Sequence, residues 1–160
     1  MFFVREDIEE VISRTKRFCD SDKKGIALIM VKEIRDIQQP RQKPLNQWNF
    51  PKDMKVYLDT EAERTLRYWE KRKNINDDLI PTISPWYGIA EHSAFVGGEV
   101  EFSEDTSWHH PIIKDWSDLD RLELREDNPW LRMVIDGMQY LKEKWGDKLM
   151  IKLRGADGPM

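Results

Sequence analysis

The sequence predicts an α/β fold, in which helices lie between strands that pair in parallel. Two short runs have the composition of buried strands: "LIPTIS" at 79–84 and "KLMIKL" at 148–153. Between them stands "DNPWLRMVIDGMQYLKEKWG" at 127–146, in which apolar residues recur at helical spacing. A helix between two strands favours parallel pairing, because a parallel strand is reached only through a long crossover.

The helix between these strands carries signals at both of its ends. Asp127 or Asn128 can cap its free N–H groups, and Pro129 suits the first helical position. Gly146 follows the last turn, so the spacing predicts a helix over 129–145. Its apolar face is expected to pack in the core and consists of Leu131, Val134, Ile135, Met138, Leu141 and Trp145.

The N-terminal part predicts further helices and a linker. Helices are expected over about 5–22, where acids precede bases, and over 53–74, which has no glycine or proline. The run "KKGIALIMVKEIRDI" at 23–37 fits a strand or a helix, and we favour a helix. Three prolines in 38–53 predict an extended linker. We therefore divide the chain into an N-terminal helical extension with a proline-rich linker, 1–52, and a main unit, 53–160.

Three short elements are expected between the two strands of the main unit. "GIAEHSAFVGG" at 88–98 predicts a short helix closed by two glycines. "EVEFSED" at 99–105 alternates as a strand does, and "TSWHHPIIKDW" at 106–116 has the aromatic and proline content of a loop.

Charge and cysteine content exclude several classes of function. The 26 basic and 30 acidic residues are mixed along the chain and give a net charge of -4, so no basic face for nucleic acid is expected. Cys19 is the single cysteine, which excludes an internal disulfide and a cysteine-rich zinc site. His109 and His110 are adjacent, point opposite ways in an extended loop, and predict no metal site.

The N-terminus and the apolar runs predict a cytoplasmic protein without a membrane partner. Charged residues at positions 5–7 interrupt the apolar core that a secretory signal needs. The longest apolar run, "GIALIMV" at 25–31, is too short to span a bilayer.

Several stretches, in their order and spacing, resemble the uroporphyrinogen decarboxylase family. They are "FVGGEVEF" at 95–102, "DWSDLDRL" at 115–122, and "GP" at 158–159 after the capped helix and strand. The family includes tetrapyrrole decarboxylases and cobamide-dependent methyltransferases, and the resemblance covers about residues 53–160. It implies the N-terminal portion of a (β/α)8 barrel of the TIM type. This portion is preceded by helices and is truncated after about the second strand. It is incomplete, because complete barrels have roughly 250 residues.

The resemblance implies what an intact relative does. It would decarboxylate a tetrapyrrole, or move a methyl group to or from a corrinoid or a thiol, with corrinoid and zinc as possible cofactors. This chain is expected to hold no cofactor and to be inactive alone, with a complementing C-terminal polypeptide or a second copy as partner. The alternative is a non-catalytic module that associates with itself or with a partner through strand edges and apolar helix faces.

The resemblance also assigns positions near the first strand. It places Gly88 where the family decarboxylases have an aspartate that organises the substrate pyrroles, and a glycine cannot accept those hydrogen bonds. The arginine-rich loop of the decarboxylases is matched only by Arg41 and Gln42, with Leu45 where a second arginine is expected. Both departures make the corrinoid branch at least as good an expectation as decarboxylation.

Other candidate binding residues follow the two strands, at the functional face of a barrel. Trp86 and Tyr87 can form a wall for a flat ligand or pack against helices. His92 can face a pocket or bond a backbone carbonyl. Arg154 can hold a carboxylate in a forked pair, with Asp157 beside it, or both can lie in a solvated turn.

Overall fold

A computed structural model describes residues 4–20, 27–32, 34 and 37–153. Two strands, β1 (Thr82–Ile83) and β4 (Met150–Ile151), pair in parallel, with Thr82 opposite Met150 and Ile83 opposite Ile151. Strands β2 (Val100–Phe102) and β3 (Ser107–His109) form a separate antiparallel hairpin. The helices are α1 (Ile8–Asp20), α2 (Met54–Arg72), α3 (Glu91–Ala94) and α4 (Pro129–Trp145), with 3₁₀ helices at Leu45–Gln47 and Trp116–Arg121.

The crossover helix α4 begins where its capping residue predicts. The Asn128 side-chain oxygen accepts hydrogen bonds from the N–H groups of Trp130 and Leu131, at 2.9 and 3.2 Å. Its amide nitrogen donates to the carbonyls of Ala94 and Phe95, at 2.9 and 3.2 Å. One asparagine therefore caps α4 and fixes its start against the end of α3, and the predicted helix 129–145 is confirmed.

Helices α2 and α4 pack together and cover the parallel pair. On α4, Gly137 allows the approach, since a Cβ there would lie 2.7 Å from the Tyr87 hydroxyl and 3.2 Å from Leu58. The Asp59 carboxylate joins the two helices by accepting from the Trp145 indole N–H at 2.8 Å. The core contains Leu45, Met54, Tyr57, Leu58, Ala62, Ile83, Tyr87, Met133, Leu141, Trp145 and Leu149.

Residues 27–32 are extended, so the helix predicted over 23–37 is wrong for this part of the run. The N–H of Ile29 donates to the Asp78 carboxylate, and the N–H of Val31 donates to the Asp77 carboxylate, both at 2.9 Å. Alternate N–H groups point the same way only in an extended chain. The two aspartates therefore hold this apolar run as an edge segment.

The prediction of a loop over 106–116 is wrong for the residues that form the hairpin strand β3. Ser107–His109 forms β3, and a 3₁₀ helix begins at Trp116. The strand expected over 99–105 is confirmed as β2, and the helices expected over 53–74 and about 5–22 are confirmed as α2 and α1, the latter beginning later, at Ile8.

A buried ion-pair network closes the amino-terminal end of β1. The Asp77 carboxylate, fully buried, accepts from Arg5 at 3.0 Å and from Arg72 at 2.6 Å. Arg5 also donates to the carbonyls of Asp77 and Leu79, at 2.6 and 2.9 Å. The network fixes residues 77–79 just before they enter β1.

The described residues combine helices with two two-stranded sheets, one of them parallel, and the α/β class stays a prediction. They contain no closed barrel, so the barrel portion stays a prediction. In the part of the chain that the structure describes, no helix is both long and apolar enough to cross a bilayer.

We expect the contact between 27–32 and Asp78 to weaken in acid. The Ile29 N–H, and then the Arg14 guanidinium, hold the pKa of Asp78 below its ordinary value of 3.8. The ionised carboxylate therefore stabilises the fold above pH 3.8, and this stabilisation is lost as pH falls through the lower folded pKa.

The amide proton resonance of Ile29, followed by NMR during an acid titration, measures this directly. We expect its midpoint below pH 3.8, and no such titration in Asp78→Asn. A midpoint at or above pH 3.8 would contradict the contact.

Candidate functional site

The candidate site lies where the chain leaves β1. Pro85 is buried, and the Tyr57 hydroxyl of α2 donates to the Trp86 carbonyl at 2.5 Å. This bond fixes the backbone so that the Trp86 side chain is only partly buried. In α/β folds the carboxyl ends of parallel strands are the usual place for a ligand.

Arg41 from the proline-rich linker lies against Trp86. Its guanidinium carbon stands 4.5 Å from the centre of the indole ring, within the range of a cation–π contact. It also donates to the Asp105 carbonyl in the β2–β3 turn at 3.1 Å. The linker, the strand end and the hairpin therefore meet at one guanidinium group.

Charged groups of both signs surround Arg41. Glu61 on α2 is shared between two arginines: Arg64, at 2.5 Å, and Arg41, at 3.7 Å. Two guanidinium groups thus face one carboxylate, and the exposed carboxylate of Asp105 belongs to the residue whose carbonyl Arg41 contacts. A second cation, Lys43, stands 4.3 Å from the ring centre of Trp48.

Gly88 is required by the packing of the strand end. Its φ is +101°, a conformation that side chains other than glycine rarely adopt. A Cβ at this position would lie 1.9 Å from the Ser107 hydroxyl oxygen and 2.4 Å from the Ser107 nitrogen. The same Ser107 oxygen accepts from the Ala90 N–H at 3.1 Å. An aspartate therefore cannot occupy the position that the resemblance assigns to the catalytic carboxylate.

Of the two residues predicted for an aromatic wall, Tyr87 packs in the core instead. Its side chain is fully buried, with its ring centre 5.0 Å from that of Phe50 and 5.8 Å from that of Tyr57. Successive side chains in extended backbone face opposite ways; Tyr87 lies inside the core, whereas Trp86 is partly buried and packs against the core from its edge.

Of the remaining predicted site residues, the structure describes only His92. His92 lies on α3 with its ring centre 5.5 Å from that of Phe95. Arg154 and Asp157 lie outside the described residues. Within the described ranges no group of three or more His, Cys, Asp or Glu side chains is arranged to hold a metal ion.

A cleft of about 1070 Å³ lies at the opposite end of the strands. Arg5, Asp7 and Arg72 line it, and their charged groups are paired with one another or with Asp77. A smaller cavity of about 410 Å³ has Arg64 in its lining.

Arg41 was predicted as a site residue only through the family resemblance, and the sequence did not predict its contacts with Trp86 and Glu61. The three residues lie far apart in the chain, and only the Glu61–Arg64 spacing on a helix was a local signal. Comparison of the chain with models of known families, with curated proteins and with solved structures finds no match.

Proposed function

We propose that this chain is the N-terminal segment of a uroporphyrinogen decarboxylase-like enzyme and supplies part of the wall of its tetrapyrrole or corrinoid site. The observation that carries the proposal is the Arg41 guanidinium 4.5 Å from the Trp86 ring at the end of β1. A flat macrocycle with acidic side chains needs an aromatic surface and a cation at its edge, and this pair offers both.

The parallel pairing of β1 with β4 supports the same proposal. Residues after the carboxyl ends of such strands form the ligand site in barrels and in open α/β sheets. Trp86 follows β1 at this end, while the buried ion pairs of Asp77 lie at the other end. The division between a stabilised amino end and a ligand-facing carboxyl end is typical of barrel enzymes.

Of the two activities in the family, we propose methyl transfer for the intact enzyme. Decarboxylation in the family uses an aspartate at the position of Gly88, and Ser107 leaves no room for one. The described residues of this chain contribute binding and positioning, and we expect no activity from the chain alone.

Calorimetric titration of the purified chain with coproporphyrin III, and separately with a cobalamin, tests the binding proposal. We expect saturable binding of at least one of the two macrocycles. Trp86→Ala should weaken it about tenfold through lost ring contact. Arg41→Gln should weaken coproporphyrin binding about tenfold or more, because a charged hydrogen bond to a propionate is lost.

The matched control is Arg67→Gln, which removes the same charge from an arginine that pairs with Glu63 on α2. Its affinity should equal that of the wild type. Absence of saturable binding to the folded wild-type chain would overturn the proposal, as would equal weakening in Arg67→Gln and Arg41→Gln.

A second candidate function, self-association, is favoured by one observation. Large apolar side chains are exposed on two segments of the described chain, with Ile29 and Leu124 each 66% exposed and Trp116 84% exposed. The edges of β1 and β4 offer only two residues each, so these apolar segments are the stronger basis for association. Light scattering coupled to gel filtration distinguishes a monomer of 19.2 kDa from an oligomer.

A further inference from the structure

An exposed apolar row runs along the 3₁₀ helix 116–121. In a 3₁₀ helix, side chains three residues apart lie one above the other, so Trp116 and Leu119 share one side, and Leu122 follows directly after the helix. They are 84%, 45% and 38% exposed, and Leu124 just beyond is 66% exposed. Exposed apolar groups at this density indicate an interaction surface, and tryptophan is one of the residues that most often dominate binding energy.

The backbone that displays this row is well ordered by its own hydrogen bonds. The Asp115 carboxylate accepts from the Ser117 N–H at 3.0 Å. The buried Asp118 carboxylate accepts from the N–H groups of Lys114 and Asp115, at 3.0 and 3.1 Å. These reciprocal bonds form a capping box, so Trp116 is presented from a fixed turn.

Acidic residues outnumber basic residues around the apolar row. Residues 114–127, which we call the acidic segment, hold six acidic and three basic residues and carry a net charge of -3. A partner for this segment therefore needs an apolar surface with basic residues around it.

The chain itself carries a surface of that kind, which we call the basic surface and define as residues 14–20 and 27–32. Its two parts adjoin, because Arg14 Nε and the Ile29 N–H both bind the Asp78 carboxylate, at 2.7 and 2.9 Å. It holds four basic residues and one acid, and one of the basic residues, Arg14, is paired with Asp78 outside the surface, so the surface offers a partner a net charge of about +2. Its exposed apolar side chains are Phe18 (44%), Ile29 (66%), Met30 (45%) and Val31 (38%).

We propose that the acidic segment of one copy of this chain docks on the basic surface of a second copy. The proposal rests on self-association, the second candidate function, and names the surfaces that carry it. Both surfaces are exposed in the single chain, so neither covers the other within it. Opposite net charges and an apolar centre on each side give the two surfaces the complementarity of a specific interface. A two-fold axis would allow both copies to make the contact.

Sedimentation equilibrium of the full chain over a range of concentrations tests this pairing. We expect a dimer of twice the 19.2 kDa chain mass, weakened when sodium chloride is raised from about 50 to about 500 mM, because surface charges are screened. Trp116→Ala should raise the dimer dissociation constant at least about tenfold. Arg17→Glu should also weaken the dimer, because it lowers the positive charge of the basic surface by two.

The matched control is Ile135→Ala, which removes an apolar side chain that is 45% exposed on α4, outside both surfaces. Its dissociation constant should equal that of the wild type, with circular dichroism confirming that each variant is folded. A wild-type chain that is monomeric at all concentrations overturns self-association and the pairing together. A dimer that persists unchanged in Trp116→Ala and Arg17→Glu overturns the pairing alone.

Discussion

Replacing Asp77 by alanine is expected to lower the free energy of unfolding by about 3–5 kcal/mol, the usual cost of leaving buried charges without a partner. The Arg5 and Arg72 side chains are 7% and 0% exposed, and both bind the same carboxylate. The Arg72 Nε has no hydrogen-bond partner among the described residues, so this guanidinium is already incompletely satisfied. Urea unfolding followed by circular dichroism gives the change.

Asp127→Ala is the matched control, because Asp127 makes a similar pair with Arg125 on the surface, at 3.0 Å. Both side chains are more than half exposed, so water screens the pair and we expect no measurable change in stability. Equal effects of the two substitutions would show that the Asp77 network does not stabilise the fold.

Gly88→Asp, which restores the carboxylate of the family decarboxylases, is expected to unfold the chain or destabilise it by about 4 kcal/mol or more. Two costs add at this position. A φ of +101° is unfavourable for any side chain, and the new Cβ would lie 1.9 Å from the Ser107 hydroxyl oxygen.

Two alanine substitutions separate these costs. Gly97 has almost the same φ, +102°, but nothing lies within 4 Å of a Cβ there. Gly97→Ala should therefore cost only the backbone strain, about 1–2 kcal/mol. Gly88→Ala should cost clearly more in the same urea experiment, and equal losses would contradict the close approach of Ser107.

The two long helices could be predicted because their signals are local. Pro129 and the cap at Asn128 mark the start of α4, and unbroken helical spacing marks α2. The helix prediction for residues 27–32 was wrong because the apolar content of this run indicates a buried element, whereas the run is mostly exposed. Its structure instead depends on carboxylates about fifty positions later, at Asp77 and Asp78, and no local pattern contains that information.

The candidate site shows the same division between local and distant contacts. Trp86 could be expected at the end of a strand, and the burial of Tyr87 follows from the alternation of extended backbone. The contact of Arg41 with Trp86 depends on how the linker crosses α2 and the hairpin turn, and composition alone does not predict that path. The membership in a barrel family stays a prediction.

The central claim, that Trp86 forms part of the wall of a macrocycle site, is tested most directly by tryptophan fluorescence during titration with coproporphyrin III and, separately, with a cobalamin. A bound macrocycle within reach of Trp86 should quench its emission saturably. We predict saturable quenching by at least one of the two, lost in Trp86→Ala and kept in Trp116→Ala, which removes a tryptophan that is 84% exposed on another element. Quenching that is linear in both macrocycles, or that is unchanged in Trp86→Ala, would contradict the account.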